Sequence, residues 1–348
     1  MRPFVRPFVT PEGRYALVED DIMADHLRAM GFQKEGGAFR IELNESGMEA
    51  LRNTALQQAL ADALEALSSE TSPTDSKGLS MDYTEPRVMG VLNVTPDSFS
   101  DGGSYLSHRK AIDRGLEMVD QGADMIDVGG ESTRPCSVYV DAQTEMARVL
   151  PVIEALAAST DVPISVDTRK PLVAEKAVDK GALIINDVSG LREEGMMELV
   201  ASTGVAAVIM HMRGTPAGMQ EDLRYDDVVH EVMRYLHHQK ETFLDKGGRP
   251  GQVILDPGIG FGKSAQHNLD IIRRLGEMRA LGSPILVGAS RKSFIARLLA
   301  SEPHERLEGS LAAASIATAN GADIIRAHDV SETSKAVKVA AALRPIRG

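Results

Sequence analysis

From about Arg87 onward the chain is punctuated by short, nearly unbroken apolar runs: VMGVLNV, ADMIDVGG, PISVDT, ALIINDVSG, VAAVIMHM, VILDPG, PILVGAS and ADIIRAHD. Each is entered from Gly or Pro and left through polar residues or glycine. Between most of them lie amphipathic stretches long enough for a helix, such as 110–121 and 171–180, and helix-ending glycines recur at Gly122, Gly181 and Gly321. Strands apolar on both faces that alternate with helices belong to a parallel sheet covered on both sides. Eight such units over about 260 residues predict a closed (β/α)8 TIM barrel. An open doubly wound sheet would carry a glycine fingerprint after its first strand. Here that strand ends in Asn93 and Thr-Pro-Asp-Ser.

The pattern before the barrel is different. Residues 1–67 read as a small α/β N-terminal appendage, with a short strand at Phe39–Leu43 and a helix opening at Ser46, where Glu49 three residues on completes a capping-box pattern. Met48, Leu51, Ala55, Leu56, Ala59, Leu60, Leu64 and Leu67 recur at helical spacing and give that helix one apolar face. Residues 68–85, which include SSETSPTDSKGLS, read as a polar linker with nothing to bury, and 86–348 as the barrel.

Composition narrows the class. A hydrophobic content of 43% supports a sizeable core. The net charge is −12, and residues 1–85 alone carry 8 basic against 15 acidic side chains. Without a basic stripe the chain is not expected to bind nucleic acid. No run of 18 apolar residues occurs and no charged-then-apolar leader opens the sequence, so neither membrane insertion nor secretion is expected. The lone Cys136 agrees with a reducing, cytoplasmic location.

One stretch, VILDPGIGFGKS at 253–264, ends almost like a nucleotide-binding phosphate loop. That loop needs a glycine where Pro257 stands, and proline has no N–H to give to a phosphate. Asp256 closes the apolar run instead. In a barrel the chemistry lies where each strand stops. Asn93 ends the first run, Asp167 the third, Asn186 with Asp187 the fourth, His211 the fifth and Asp256 the sixth. Ser290, Arg291 and Lys292 follow the seventh, and Arg326 with His328 ends the eighth. Asp167, Asn186 and Asp256 supply the acceptors and the amide needed to read an amino-pyrimidinone ring. Arg326, His328, Arg134 and Asn93 form a cationic and polar rim suited to a phosphate or diphosphate, with Asn93 an oxygen donor for Mg2+. Ordinary roles compete. Asp167 and Asp187 suit helix N-caps; Lys263 is expected to lay its stem along a helix start without chemistry. Met210 and Met212 suit the core, the four residues His211, His230, His237 and His238 form no zinc pattern, and the His237–His238 pair is expected on a solvated face.

Taken together, NVTPDSFSDGG at 93–103, IDVGGESTRP at 126–135, SVDT at 165–168, IINDVSG at 184–190, MHMRGTP at 210–216, LDPGIGFGK at 255–263, GASRKS at 288–293 and IRAHD at 325–329 resemble the dihydropteroate synthase family, in that family's order. The resemblance covers about three quarters of the chain, from Arg87 to the C-terminus. It implies a transferase of folate synthesis that joins 4-aminobenzoate to the pyrophosphate ester of 6-hydroxymethyl-7,8-dihydropterin, with Mg2+ as cofactor and a homodimer as the assembly. It places the pterin pocket on Asp167, Asn186, Asp256 and Lys292, with Met210 beneath the ring, and the pyrophosphate and Mg2+ site on Asn93, Arg326 and His328. It places 4-aminobenzoate on Phe99, Thr133, Arg134, Pro135, Phe261 and Ser293. Ser293 falls where a helix is expected to begin, an end whose dipole favours a carboxylate. One departure stands out: the family usually continues ESTRP with glycine, and here Cys136 follows. A side chain there is expected to stiffen the second loop or alter the aminobenzoate entrance and sulfonamide sensitivity, with the synthase reaction retained. A pterin-binding methyltransferase, moving a methyl group from methyltetrahydrofolate to a corrinoid protein, is the alternative, but it has no need of the STRP loop or of Arg326 with His328. Against a pterin-binding protein without catalysis, no motif position expected to act has been replaced.

Overall fold

The eight apolar runs pair as eight parallel strands in the computed structural model: β7 (Arg87–Asn93), β8 (Met125–Gly129), β9 (Ile164–Asp167), β10 (Ile184–Asp187), β11 (Ala206–Met210), β12 (Val253–Asp256), β13 (Leu286–Val287) and β14 (Ile324–Ala327). The structure describes the chain apart from residues 1–3, 11–12, 20–23, 30–31, 33, 36–37, 53, 96–102, 133–138, 216–217, 220–222, 301, 303–304 and 345–348. Each strand lies beside its sequence neighbour, β14 returns to β7, and a parallel bridge between Leu255 and Ile285 joins the sixth strand to the seventh. The sheet therefore closes into the predicted barrel. Its helices are α4 (Gly103–Asp120), α5 (Ala142–Ala157), α6 (Pro171–Asp179), α7 (Met196–Thr203), α8 (Val228–Asp245), α9 (Ala265–Arg273), α10 (Ser293–Leu299), α11 (Leu307–Ala319) and α12 (Val330–Ala342). Register brings the strand ends level: Asn93 opposes Gly129, Gly129 opposes Asp167, Asp167 opposes Asn186, and Met210 opposes Asp256. Polar residues from distant parts of the sequence thus meet at one rim.

The barrel interior alternates with its outer shell, as strand pleating requires. Met89, Met125, Ile184, Ala206, Val208, Ile254, Leu286 and Ile324 fill the inside. Leu79 and Tyr83 pack against this same cluster. The stretch expected to be a linker is thus a hairpin, β5 (Thr74–Ser76) and β6 (Leu79–Met81), that plugs the barrel end opposite the mouth. It has something to bury after all. Its polar content is met locally, since the buried hydroxyls of Thr74 and Tyr83 share a hydrogen bond of 2.6 Å.

The appendage is richer in strands than its sequence suggests. β1 (Phe4–Thr10), β2 (Gly13–Glu19), β4 (Ala38–Glu42) and β3 (Lys34–Glu35) form an antiparallel sheet in the order β1-β2-β4-β3, with α1 (Ala24–Ala29) between β2 and β3. The single helix expected from Ser46 onward is two, α2 (Glu45–Leu51) and α3 (Ala55–Ser68). Asn44, not Ser46, caps the first by accepting from the Gly47 amide, while Thr54 caps the second by accepting from Gln57. The apolar spacing survives the break, so Leu51, Leu56 and Leu60 share one core with Val5, Val18, Leu27, Phe39 and Ile41. Phe4, the first residue of β1, packs on the barrel instead, with its ring 5.5 and 5.4 Å from those of His230 and His237 on α8. His237 therefore packs at the seam with the appendage and not on a solvated face. Among the described residues no helix is long and apolar enough to cross a membrane.

Candidate active site

Asp167, Asn186 and Asp256 stand at the ends of β9, β10 and β12 with relative exposures of 8%, 4% and 6%. An ionised group buried so deeply needs a partner, and Asp167 has one in Arg326. Arg326, from β14, donates Nη2 to Asp167 Oδ2 at 2.8 Å and Nε to Asp127 Oδ2 at 2.7 Å. That same Asp127 oxygen accepts from Asn186 Nδ2 at 2.8 Å. Asp127 is fully buried within β8 and was not among the residues expected at the site. The sequence does carry a signal for it: a carboxylate two positions before the end of an otherwise apolar run. Neither Asp167 nor Asp187 is the N-cap of the helix that follows it, a place taken by Lys170 before α6 and Gly195 before α7. Burial raises the Asp167 carboxyl to about 7 against the opposing charge of Arg326. Burial also raises Asp256, with the Gly258 amide and Lys292 opposing. Asp187 takes a local structural role instead, accepting from Ser189 and Leu191.

The 256–264 loop wraps around these groups. Asp256 Oδ1 accepts from the Gly258 amide at 2.6 Å, which folds the chain back at once. Gly258 has φ +68°, and a Cβ there would lie 2.0 Å from the His211 carbonyl oxygen, so only glycine permits this approach. Gly260, at φ +82°, leaves room for the Lys292 stem, which a Cβ would meet at 3.0 Å. Lys292 then sets its Nζ 4.1 Å from the centre of the Phe261 ring, a cation–π contact. Phe261 packs with Val188, Met210, Met212 and Met219. Met210 is accordingly part of a small buried cluster next to this loop.

Lys263 departs from expectation. Its side chain does not lie on a surface but is 4% exposed. Its Nζ is 2.8 Å from His211 Nδ1 and donates to the carbonyls of Gly258 and Phe261 at 3.0 Å each and of His211 at 3.3 Å. The helix start where it was expected to snorkel is capped by Ser264 and His267. Lys263 instead ties the loop after β12 to the residue after β11. Burial pulls its pKa down to about 7.

At the opposite side of the mouth His328 Nδ1 is 3.0 Å from Ser290 Oγ. Burial, with Arg326 adding to it, holds the imidazole down to about 3, so His328 is a neutral, polar member of the rim. Arg291, at φ +58°, turns outward to pair with Asp329, while the next residue, Lys292, precedes α10. Ser293 is exposed as the first residue of that helix. Asn93 and Asp167 flank Gly129: a Cβ added there would meet the Asp167 Cβ at 3.4 Å and Asn93 Oδ1 at 3.8 Å. Phe99, Thr133, Arg134, Pro135 and Cys136 lie outside the described residues. The other expected residues converge on one mouth.

Comparison with known proteins agrees with this geometry. Residues 89–328 match the family described as pterin binding enzyme. The dihydropteroate synthase of Escherichia coli (strain K12) is 49% identical over 264 residues, 76% of this chain and 94% of that protein. That of Neisseria meningitidis serogroup B (strain ATCC BAA-335 / MC58) is 46% identical over 268 residues, 74% of this chain and 93% of that protein. Among solved structures, Yersinia pestis dihydropteroate synthase with a sulfonamide drug complex has a TM-score of 0.75 at 44% identity, covering 78% of this chain and 99% of that one. Xanthomonas albilineans dihydropteroate synthase in complex with 7,8-dihydropteroate has a TM-score of 0.72 at 41% identity, covering 79% and 100%.

Proposed function

The chain belongs to the dihydropteroate synthases, and on that premise we propose how its barrel mouth performs the condensation. The enzyme is a transferase of folate synthesis: it joins 6-hydroxymethyl-7,8-dihydropterin pyrophosphate to 4-aminobenzoate and releases pyrophosphate and 7,8-dihydropteroate. The relatives reported above are synthases, so methyl transfer to a corrinoid protein is set aside.

One observation carries the assignment of residues. Asp167, Asn186 and Asp256 are polar, more than nine-tenths buried, and gathered at level strand ends. Each has one internal partner and keeps further hydrogen-bonding capacity directed at the mouth, which the ring N–H and amino groups of a pterin would fill. Lys292 supplies a donor to the ring carbonyl side, and Met210 an apolar floor. As the bond from the pterin methylene to oxygen breaks, its electrons leave with the pyrophosphate and positive charge develops on the carbon. Asp167 and Asp256 stabilise that charge, and Arg326 with His328 meets the departing oxygens. The amine lone pair forms the new C–N bond and the nitrogen then loses a proton. An aromatic amine is a weak nucleophile, so its placement against Phe261 and Ser293 contributes more than a strong base would. The family resemblance assigns Phe99, Thr133, Arg134 and Pro135 to the same aminobenzoate site.

Among the described residues no cluster of three His, Cys, Asp or Glu forms a metal cage. The residues that bear on Mg2+ are oxygen donors at the mouth, and Mg2+ holds few protein ligands and several phosphate oxygens and waters. The Asn93 amide oxygen, across Gly129 from Asp167, is the protein donor we assign to it. When bound, Mg2+ offsets the charge of the leaving diphosphate. Self-association as a homodimer is supported by exposed Leu298, Leu299, Ile316, Val339 and Leu343 on and just after α10, α11 and α12. We place the protein in the cytoplasm, consistent with its lone Cys136.

The test is direct. With the pterin pyrophosphate, 4-aminobenzoate and Mg2+, the protein releases pyrophosphate and dihydropteroate in equal amounts. Failure to form dihydropteroate overturns the assignment.

A further inference from the structure

The family match begins at residue 89, so nothing in it accounts for the appendage. Yet the appendage reaches the active-site loop through an unbroken series of polar contacts. Arg6, on β1, is 2% exposed and sets Nη1 3.0 Å from Asp227 Oδ2 and 3.4 Å from Glu277. Arg274 grips the same Asp227 carboxylate at 3.0 and 3.1 Å. Asp227 is the N-cap of α8, accepting from the amides of Val229 and His230. From β2, Glu19 lies 2.7 Å from His230 Nε2 and 3.2 Å from Arg234. The appendage thus holds the first turns of α8 from two strands.

That helix start faces the mouth. Glu231 accepts from the Asp226 amide at 2.9 Å and from Arg213 Nη2 at 2.7 Å. The Arg213 guanidinium lies 3.9 Å over the Tyr225 ring. The Tyr225 hydroxyl donates to the Gly262 carbonyl at 2.9 Å, next to Phe261. Buried ion pairs define a geometry sharply because a misplaced member is left uncompensated. Asp227 would still cap α8 without Arg6, since its backbone and Arg274 partners remain. What Arg6 adds is where that helix start sits against the barrel.

We propose that the appendage serves the amine side of the active site, with Arg6 a positioning residue that acts through Asp227, the first turn of α8, Arg213 and Tyr225 to fix the loop carrying Phe261. This deepens the synthase reading and rests on it. In the full-length protein, Arg6→Met is expected to raise KM for 4-aminobenzoate about three- to tenfold, with kcat and the pterin KM within about twofold. Arg6→Lys restores most of the loss. Tyr225→Phe, which removes only the hydroxyl contact to Gly262, shifts KM in the same direction, and the double variant is no worse than the more impaired single one. A purely structural role for Arg6 would instead lower the melting temperature while leaving this KM split untouched. Hydrogen exchange at 258–264, measured without substrates, is faster in Arg6→Met. This readout stands whether or not the synthase assay succeeds, so failure of the reaction and failure of the coupling are separable. If Arg6→Met does not fold, Glu19→Gln takes its place with the same expected direction. The proposal is overturned if the folded variants keep both the aminobenzoate KM within twofold and the exchange unchanged, or if the effects of Arg6→Met and Tyr225→Phe simply multiply.

Discussion

A single carboxylate oxygen, Asp127 Oδ2, holds both Asn186, at 2.8 Å, and Arg326, at 2.7 Å. In the proposed assignment Asn186 reads the pterin and Arg326 meets the diphosphate, so Asp127, with no substrate contact assigned to it, would set the angle between the two halves of the pocket. Asp127→Asn keeps the volume but replaces the charge. Loss of a buried charge-assisted partner costs about 2–5 kcal/mol, of which the isosteric amide recovers part. We expect kcat/KM to fall roughly 30- to 100-fold, near 2–3 kcal/mol of transition-state stabilisation. Steady-state kinetics on folded Asp127→Asn decides it; a change below threefold would remove Asp127 from this role.

The raised carboxyl of Asp167 gives a pH signature. Burial lifts it to about 7, with Arg326 opposing. Ring N–H donors need the ionised form, so pterin affinity should weaken as pH falls below 7, by up to about tenfold per unit. Stability of the ligand-free protein runs the other way. A carboxyl whose folded value lies above its unfolded one contributes stability that is complete below the unfolded value and lost as pH rises through 7. Calorimetric pterin titrations from pH 5.5 to 8.5 should show the inflection, and Asp167→Asn should abolish it. An inflection that persists in the variant belongs to another group.

What the chain disclosed about itself follows a physical division. Asp167, Asn186, Asp256 and Arg326 were legible because each interrupts an apolar run near its end, and parallel pairing brings such ends level. Lys263 was not, because its burial depends on three carbonyls and an imidazole supplied by the fold around it. The 74–81 hairpin was misread for the same reason: polar, proline-containing sequence looks unburiable until the open barrel end that it covers is known. The break between α2 and α3 escaped notice because Leu51 and Leu56 stay on one face across it. Asp127 was hidden by its position inside a run and not at its end.

Gly258 can be tested against a control glycine. Both Gly258, at φ +68°, and Gly195, at φ +82°, occupy the left-handed region, but a Cβ at Gly195 meets nothing within 4 Å, whereas at Gly258 it strikes the His211 carbonyl. Gly195→Ala should cost only the backbone strain, about 1–2 kcal/mol in urea unfolding, with normal pterin affinity. Gly258→Ala should also displace the amide that Asp256 accepts from, and weaken pterin binding about 100-fold or more. Equal pterin affinities in the two variants would show that close approach at His211 does not shape the pocket.

Tyr83 provides the complementary case, a buried polar residue whose loss should spare catalysis. Its hydroxyl meets Thr74 at 2.6 Å inside the hairpin that plugs the barrel, among Met89, Met125 and Ile254 and away from the strand ends that bear the site. Burial raises the phenol well above its ordinary value, so it stays a neutral hydrogen-bonding group across the working range of pH. Tyr83→Phe keeps the ring packing but leaves the Thr74 hydroxyl, 1% exposed, without that partner. Such an orphaned group costs about 1–3 kcal/mol. Unfolding in urea should therefore show a lower midpoint at an unchanged slope, because the area exposed on unfolding is the same. With the plug still seated, kcat and both KM values should stay within about twofold. If Tyr83→Phe instead slows turnover while stability holds, the two ends of the barrel are coupled, and the hairpin is more than a plug.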